Sequence, residues 1–215
     1  MTLWAIVPVK PIIIGKSRLA SVLTSEERAR LNRMLLERTL EVIKDSPAIE
    51  GSLVVSRDPE VLAIAREFGA RTVLEHGQTQ TDLNLALLRA TAVAKAFEIN
   101  AILVLPADLP LISPDDIQAM ANESLNTPVV VIAPDRHNDG TNAMLMSPAG
   151  LIKFDYGPNS FNRHCMHALE VGERLAHGVD HDLRAALDLD VQCIARHLVA
   201  ESGHAQGLAG SHGCG

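Results

Sequence analysis

The sequence predicts a three-layer α/β fold with a mostly parallel central sheet. In the first two thirds of the chain, short β-branched runs alternate with longer helical patterns, the order that gives parallel strands covered by helices. The first run, residues 3–9, is apolar throughout, as expected for a strand buried on both faces. The length of 215 residues fits one globular domain with a substantial core.

The other elements follow this first strand in order. Thr24 and Glu27 form a capping box, so a helix begins there, and it ends near Lys44. Helical spacing and helix-starting prolines predict three more helices, at residues 59–68, at 83–97 and after Ser113. Apolar, β-branched runs predict strands at 52–56, 71–74, 101–105 and 129–133.

The pattern changes after Pro134. A polar, turn-rich loop at residues 135–142 precedes a short apolar segment at 143–146, and we interpret the two together as an insertion at the edge of the sheet. A helix at 160–172 and a strand at 187–191 complete the prediction. Residues 202–215 contain five glycines and no apolar periodicity. We therefore predict a single domain over residues 1–201 and a disordered tail rich in Gly and His.

Composition argues against several classes of protein. The 19 Lys and Arg against 26 Asp and Glu, a net charge of −7, disfavour nucleic-acid binding. No stretch reaches the roughly 18 apolar residues that cross a bilayer, and the start lacks a signal pattern, so we expect a cytoplasmic protein without membrane contact. The three cysteines, Cys165, Cys193 and Cys214, lack CxxC spacing and are interpreted as reduced thiols.

Polar segments follow the ends of predicted strands, where parallel α/β sheets bind ligands. The first, residues 8–19, carries Lys10, Lys16 and Arg18 without an acid. In an acidic protein such a loop suits a polyphosphate, although a solvated basic loop has the same composition. The triplet from Gly15 resembles the end of a Walker A loop, but that motif requires a glycine where Lys10 stands.

Acidic residues follow two other strands. Asp108 stands between two prolines after residues 101–105, where a carboxylate can hold Mg²⁺ or form a turn. Asp188 and Asp190 alternate, so both carboxylates lie on one face of a strand, as they also would on a solvated edge.

The remaining loops, residues 139–142 and 156–161, lead into a helix that carries Arg163 and His164. Hydroxyls, backbone amides and a helix N-terminus bind small anions, although Gly and Asn also form ordinary turns. His164 is either a packing residue or a substrate contact. His164, His167, His177 and His181 lack the spacing of a zinc motif, and the chain has no GxSxG or GxGxxG.

In combination, these motifs resemble the 2-phospho-L-lactate guanylyltransferase family. Between residues 3 and 190 they occur in the family's order: AIVPVK, KSRL, VVSRDPEV, LN, VLPADLPL, APDRHNDGTNA, YGPNSFNRH and LDLD. The resemblance implies a Rossmann-like nucleotidyltransferase fold. It also implies a Mg²⁺-dependent enzyme that transfers GMP from GTP to a small phosphoacid, releasing pyrophosphate, during coenzyme F-420 biosynthesis. The acceptor would be 2-phospho-L-lactate, phosphoenolpyruvate or 3-phospho-D-glycerate.

The resemblance also implies residue roles. Lys10, Lys16 and Asp108 would be catalytic, and Asp108 and Asp190 would bind Mg²⁺. The expected GTP contacts are Pro8, Val9, Lys10, Lys16, Arg18 and Asn84, and the expected phosphoacid contacts are Thr141, Gly157, Ser160 and Arg163. Asn159 stands where the family usually has a second glycine. GTP and a phosphoacid are the expected partners, and a homodimer is compatible with the sequence.

Two alternatives to this function stay open. One is a related nucleotidyltransferase with another phosphorylated acceptor, and the other is a regulatory module that binds nucleotide without catalysis. The absence of a catalytic triad does not count against a transferase. A phosphomonoester has a second pKa near ~6, so it is already an anionic nucleophile at neutral pH and needs no general base.

Overall fold

A computed structural model describes residues 2–75, 82–177 and 192–195. Its strands are β1 (Leu3–Pro8), β2 (Gly51–Ser56), β3 (Arg71–Leu74), β4 (Ala101–Val104), β5 (Val129–Pro134), β6 (Thr141–Ser147) and β7 (Gln192–Ala195). Its α-helices are α1 (Ser25–Lys44), α2 (Pro59–Glu67), α3 (Leu83–Lys95), α4 (Pro114–Glu123) and α5 (Ser160–His177). Within the described ranges the strands form one sheet in the order β3-β2-β1-β4-β6-β5-β7, in which β6 alone is antiparallel to its neighbours.

Two apolar layers enclose this sheet, so the predicted three-layer α/β fold is confirmed. Alternate residues of β1 point to opposite faces, because successive side chains of a strand alternate. Leu3 packs with Leu36 of α1 and Ile117 of α4 in one core. Ile6 packs with Leu87 of α3, and Ala168 of α5 belongs to the same second core. Both faces of the central strands are therefore buried, as their uniformly apolar sequence predicts.

The predicted helix starts are also confirmed. The Thr24 hydroxyl accepts from the backbone N–H of Glu27, whose carboxylate accepts from the Thr24 N–H in return. Ser113 and Asp116 form the same reciprocal pair at the start of α4. Each pair satisfies backbone donors that the first helical turn leaves unbonded, which fixes where the helix begins.

The predicted insertion at the edge of the sheet is wrong. The segment that contains residues 143–146 forms β6, which lies inside the sheet between β4 and β5 and is antiparallel to both. Residues 143–147 are all buried. A strand covered on both faces must be apolar at consecutive positions, and this property of the segment is the signal for an interior strand.

The last predicted elements lie largely outside the described residues. These include the strand predicted at 187–191, the pair Asp188 and Asp190, and the tail at 202–215. The strand β7 pairs in parallel with β5. In the part of the chain that the structure describes, no helix is both long and apolar enough to span a membrane.

Candidate functional site

A cleft of about 400 Å³ opens at the carboxyl ends of β1, β2 and β4. Because β6 runs antiparallel to β4, its first residue, Thr141, meets the same end of the sheet. The cleft is lined by Pro8, Val9, Lys10, Gly15, Lys16, Asn32, Val55, Glu75, Leu83, Ala86, Val104, Pro106, Ala107, Asp108, Thr141, Asn142 and Tyr156. Its position is the one at which parallel α/β sheets bind ligands.

The basic loop, residues 8–19, is held from both sides at Ile12. The backbone N–H of Ile12 donates to Asp58 Oδ2 over 2.9 Å, and Asn32 Nδ2 donates to the Ile12 carbonyl over 2.6 Å. The Ile12 side chain is buried in the core. At Gly15 a Cβ atom would lie 2.4 Å from Asn32 Nδ2, so a larger residue there would displace the Asn32 side chain that bonds the Ile12 carbonyl. The loop is thus held in shape by contacts within the protein.

Lys16 and Asp108 face each other inside the cleft. Lys16 Nζ lies 3.4 Å from Asp108 Oδ2, and the side chains are 26% and 59% exposed. Lys10 is exposed at the same cleft. Arg18 lies in a short 3-10 helix, Ser17–Leu19, and does not line the cleft. The basic loop therefore presents two lysines to a bound ligand.

The loop that carries Asp108 is anchored to α1. Arg38 Nε donates to the Pro110 carbonyl over 2.7 Å, and a second guanidinium nitrogen donates to the Ile112 carbonyl over 3.4 Å. Among the described residues, Lys16 is the only side-chain partner of Asp108. Its exposed carboxylate thus stands on a fixed backbone with oxygen atoms open to the cleft.

A second group of side chains, the hydroxyl cluster, consists of Thr141, Ser160 and His164, all of them buried. The backbone N–H of Thr141 donates to Ser160 Oγ over 3.0 Å, and the Ser160 hydroxyl lies 3.3 Å from Thr141 Oγ1. His164 Nδ1 lies 3.0 Å from the same Thr141 oxygen. Burial lowers the pKa of His164 to about 4. The cluster joins the start of β6 to the start of α5.

The loop before α5 is clamped to that helix. Asp155 pairs with His167 Nε2 at 3.0 Å and with Arg163 at 3.4 Å, and Arg163 also donates to the Asp155 carbonyl over 2.9 Å. The hydrogen bond from His167 holds the pKa of the Asp155 carboxyl below its usual value, and Arg163 reinforces the effect. The Arg163 guanidinium is therefore already paired within the loop that precedes its helix.

Asn84 braces the same loop from α3. Its side-chain oxygen accepts from the Tyr156 N–H over 2.7 Å, and its nitrogen donates to the Tyr156 carbonyl over 3.3 Å. Gly157 follows at a φ of +138°, and a Cβ there would lie 3.0 Å from the Arg163 guanidinium. Both polar atoms of the Asn84 amide therefore bond the backbone of Tyr156 and hold this part of the cleft lining in place. The backbone angle at position 157 requires a glycine.

An acid occupies the amino end of α5. Asp139 Oδ1 accepts from the Asn159 N–H over 3.1 Å, and the Asp139 carbonyl accepts from the Phe161 N–H over 3.0 Å. Asp135 in turn accepts from the Asp139 N–H, and this bond lowers the pKa of the Asp135 carboxyl. The helix N-terminus that we predicted as part of an anion site is therefore capped by the chain's own Asp139.

The structure brings together some of the predicted site residues and not others. The predicted residues that line the cleft are Pro8, Val9, Lys10, Lys16, Asp108 and Thr141. Those that lie outside its lining are Arg18, Asn84, Gly157, Ser160 and Arg163. Ser160 is nevertheless connected to the lining, because it is hydrogen-bonded to Thr141. The predicted metal ligand Asp190 lies outside the described residues.

Two polar residues of the cleft, Asn32 and Glu75, were missed by the sequence analysis, and two more, Asn142 and Tyr156, were included in candidate loops without a role of their own. Glu75 directly follows β3, which is a signal of a site residue in a parallel sheet. Burial raises the pKa of its carboxyl. Asn142 and Tyr156 lie in the loops singled out for anion binding, whereas Asn32 is a polar residue within a helix and has no local signal.

His164 and His167 on α5 are both engaged in protein contacts. His164 bonds Thr141 and the Asp155 N–H, and His167 bonds the Asp155 carboxylate. The described ranges contain no group of three His, Cys, Asp or Glu residues that could hold a metal.

Comparison with known proteins supports the resemblance found in the sequence. Residues 3–191 match the family described as guanylyl transferase CofC like. A phosphoenolpyruvate guanylyltransferase from Rubrobacter xylanophilus is 40% identical over 190 residues, which cover 88% of this chain and 90% of that protein. A 2-phospho-L-lactate guanylyltransferase from Methanobrevibacter ruminantium is 29% identical over 176 residues, which cover 77% of this chain and 72% of that protein.

The fold is shared more widely. A crystal structure from Desulfovibrio desulfuricans G20, assigned as a nucleotide-diphospho-sugar transferase, superimposes with a TM-score of 0.59 at 15% sequence identity. The superposition covers 91% of this chain and 80% of the other. At this identity the likeness concerns the Rossmann-like fold alone.

Proposed function

This chain belongs to the family of CofC-like guanylyl transferases, and from that premise we propose that it transfers GMP from GTP to the phosphate of phosphoenolpyruvate. Pyrophosphate is the second product, and the reaction serves coenzyme F-420 biosynthesis. The observation that carries the proposal is that Lys16, Asp108 and Thr141 line one cleft at the carboxyl end of the sheet. This placement lets a nucleotide triphosphate and a small acid meet in a single site.

Phosphoenolpyruvate is chosen over the other two acids because of the relatives' names. The relative that is 40% identical is a phosphoenolpyruvate guanylyltransferase, whereas the 2-phospho-L-lactate guanylyltransferase is 29% identical. The three acids share a carboxylate and a phosphate on a three-carbon unit. The choice among them is therefore made by the shape of the cleft around Thr141 and has to be tested with each acid.

The transfer needs no general base. A phosphate oxygen of the acceptor attacks the α-phosphorus of GTP and forms a new P–O bond, while the bond between the α-phosphorus and the bridging oxygen to the β-phosphate breaks. The electron pair leaves with pyrophosphate. The acceptor phosphate is largely deprotonated at neutral pH, so no proton has to be removed before the attack.

The main barrier is charge repulsion. A phosphoacid of about −2.5 to −3 must approach a GTP of about −4. The positive charges of Lys10 and Lys16 reduce this repulsion. Both lysines stand on a loop that is held in place by Asn32 and Asp58. Preorganised cations stabilise the extra charge of the transition state without a cost of rearrangement at the moment of reaction.

The position of Asp108 suits a Mg²⁺ ligand. Its carboxylate is 59% exposed in the cleft, and Mg²⁺ in such sites takes one or two protein carboxylates and fills its other positions with water and phosphate oxygens. Bound there, the ion would supply positive charge to the phosphate oxygens. We propose Asp108 as one protein ligand of the ion. We propose Asp190, which lies outside the described residues, as the second ligand.

The test is pyrophosphate release from GTP and Mg²⁺ with each of the three phosphoacids supplied separately, together with GTP alone and ATP with each acid. We expect release with GTP and phosphoenolpyruvate. Asp108→Asn should reduce turnover about 100-fold or more with the fold intact, because the metal would lose a carboxylate ligand and Lys16 would lose its ion-pair partner.

The matched control is Asp45→Asn, which removes an exposed acid at the far end of α1. It should leave turnover unchanged. Pyrophosphate release that needs no acid, or near-normal turnover of Asp108→Asn, would contradict the proposal. GTP binding without release with any acid would instead favour a regulatory module.

A further inference from the structure

His164 is buried next to the cleft, and its hydrogen bonds define which ring nitrogen carries a proton. The backbone N–H of Asp155 donates to His164 Nε2 over 3.0 Å. A backbone amide nitrogen cannot accept a hydrogen bond, so Nε2 must present its lone pair. The ring is neutral at neutral pH, because burial lowers its pKa to about 4. The single ring proton therefore lies on Nδ1.

That proton points at Thr141. His164 Nδ1 lies 3.0 Å from Thr141 Oγ1, so Nδ1–H donates to the hydroxyl oxygen. The Ser160 oxygen already accepts from the Thr141 N–H, and its own proton is donated to Thr141 Oγ1 over 3.3 Å. Within the described ranges, Thr141 Oγ1 is the only acceptor of the Ser160 hydroxyl. Both lone pairs of the Thr141 oxygen are thus in use.

The Thr141 proton is the one part of the hydroxyl cluster that is left to bond a ligand. Thr141 is 9% exposed and lines the cleft. We propose that His164 is a positioning residue that makes the Thr141 hydroxyl an obligate donor to an anionic oxygen of the acceptor. This inference rests on the proposed function and adds to it, because it specifies what that side of the cleft recognises: a carboxylate or phosphate oxygen, which has no proton to offer in return.

Two substitutions of His164 separate its two hydrogen bonds. His164→Asn keeps a donor near the position of Nδ1, whereas His164→Gln keeps an acceptor near Nε2 and loses the donor to Thr141. Thr141→Val removes the hydroxyl at nearly constant volume. We expect the KM for phosphoenolpyruvate to rise about ten- to a hundredfold in Thr141→Val and in His164→Gln. In His164→Asn it should rise less than about threefold, and in all three the KM for GTP should stay the same.

The double variant His164→Gln with Thr141→Val tests whether His164 acts through the hydroxyl. If it does, the KM of the double variant equals that of Thr141→Val alone, because the second change removes an interaction that is already lost. Effects that multiply would overturn the proposal, since they would indicate an independent or merely structural role. Circular dichroism and thermal unfolding verify that each variant is folded.

Competitive inhibition identifies the oxygen. Pyruvate offers a carboxylate without a phosphate, and methyl phosphate offers the reverse. The inhibition constant of the competitor that uses Thr141 should rise about tenfold or more in His164→Gln. If neither constant rises, the proposal is overturned.

The tautomer is measured without any turnover. In protein labelled with ¹⁵N-histidine, the His164 signals, identified by their loss in His164→Asn, should show a proton on Nδ1 and none on Nε2 at pH 7. A proton on Nε2 would overturn the proposal even in an active enzyme. A wild-type protein that releases no pyrophosphate with any acid would instead contradict the proposed function. In that case the competitors' dissociation constants, measured by calorimetry, replace the kinetic constants and decide the inference in the same way.

Discussion

At the scale of single residues, Asn159 shows how a residue other than glycine can hold a left-handed backbone angle. The resemblance found in the sequence implies a glycine here, and Asn159 adopts a φ of +58°, in the left-handed region that favours glycine. Asparagine tolerates this region better than most other residues. Its side-chain oxygen also accepts from Asn162 Nδ2 over 2.6 Å. The backbone path into α5 is therefore the one a glycine would give.

A pair of substitutions at Asn159 tests this explanation. Asn159→Gly should change the free energy of unfolding by less than about 0.5 kcal/mol, because glycine adopts the same angle freely. Asn159→Val should lower it by about 1–2 kcal/mol, because a β-branched side chain clashes with the backbone in this region. Urea denaturation measures both values, and equal stability of the two variants would show that the left-handed angle is not required.

His164 also predicts a pH dependence of stability. Its pKa is about 4 in the folded protein and about 6.5 when exposed, so the unfolded chain binds the extra proton first as the pH falls. Stability is thus complete above about pH 6.5 and is lost progressively toward pH 4. For this residue alone the loss is about 3 kcal/mol.

Other groups titrate in the same range, including Glu75, whose pKa is raised by burial, so the comparison is made between wild-type protein and His164→Asn. The free energy of unfolding of the wild type should fall more steeply between pH 7 and pH 4 than that of the variant, by about 3 kcal/mol in total. Parallel curves would mean that His164 is not a buried neutral ring.

At the scale of elements, β6 connects the fold to the site. It lies between β4 and β5, and its first residue is Thr141. The polar loop after β5 reverses the chain and is held by Asp135, which accepts from the N–H groups of His137 and Asp139. Through β6 and the hydroxyl cluster, the start of α5 is fixed relative to the central strands.

The interior position of β6 makes a clear prediction about stability. Leu145 is fully buried at the middle of β6, so Leu145→Ala should lower the free energy of unfolding by about 2–5 kcal/mol. Leu125→Ala is the matched control, because Leu125 is 75% exposed and should change stability by less than about 0.5 kcal/mol. A similarly small change in the free energy of unfolding for Leu145→Ala would contradict the interior position of β6 and indicate an exposed edge strand.

Local patterns predicted most elements, because capping and periodicity are local properties. The reciprocal pair of Thr24 and Glu27 fixed the start of α1, and the uniformly apolar run of β4 predicted burial on both faces. The place of β6 in the sheet could not be predicted in the same way, because strand pairing joins residues that are far apart in sequence. The apolar run at 143–146 signalled burial but not which neighbours would cover it.

The candidate site shows the same limit. Lys10, Lys16 and Asp108 were predicted because each follows the end of a strand, and all three line the cleft. The amide pairs of Asn84 with Tyr156 and of Asn32 with Ile12 depend on contacts between distant segments, which no local pattern contains. The role of His164 depends on two hydrogen bonds in three dimensions and was therefore left open by the sequence.

At the scale of the whole molecule, the sheet order unites two distant parts of the chain. The basic loop follows β1, and the hydroxyl cluster begins at β6. These two strands flank β4, and the chain reaches Asp108 shortly after β4 ends. The chain as a whole has a net charge of −7, whereas the cleft lining carries two lysines, Lys10 and Lys16, against two acids, Glu75 and Asp108. The cleft therefore offers an anionic substrate two cationic side chains in a chain that is acidic overall.

The most direct test of the central claim is to identify the product by ³¹P nuclear magnetic resonance, with GTP, Mg²⁺ and phosphoenolpyruvate incubated with the wild-type protein. We predict a new pair of coupled diphosphate signals from the guanylylated acid, formed in equal amount with pyrophosphate. Formation of GDP and inorganic phosphate would indicate hydrolysis, and unchanged spectra with each of the three acids would indicate binding alone. Either result would contradict the proposed transfer.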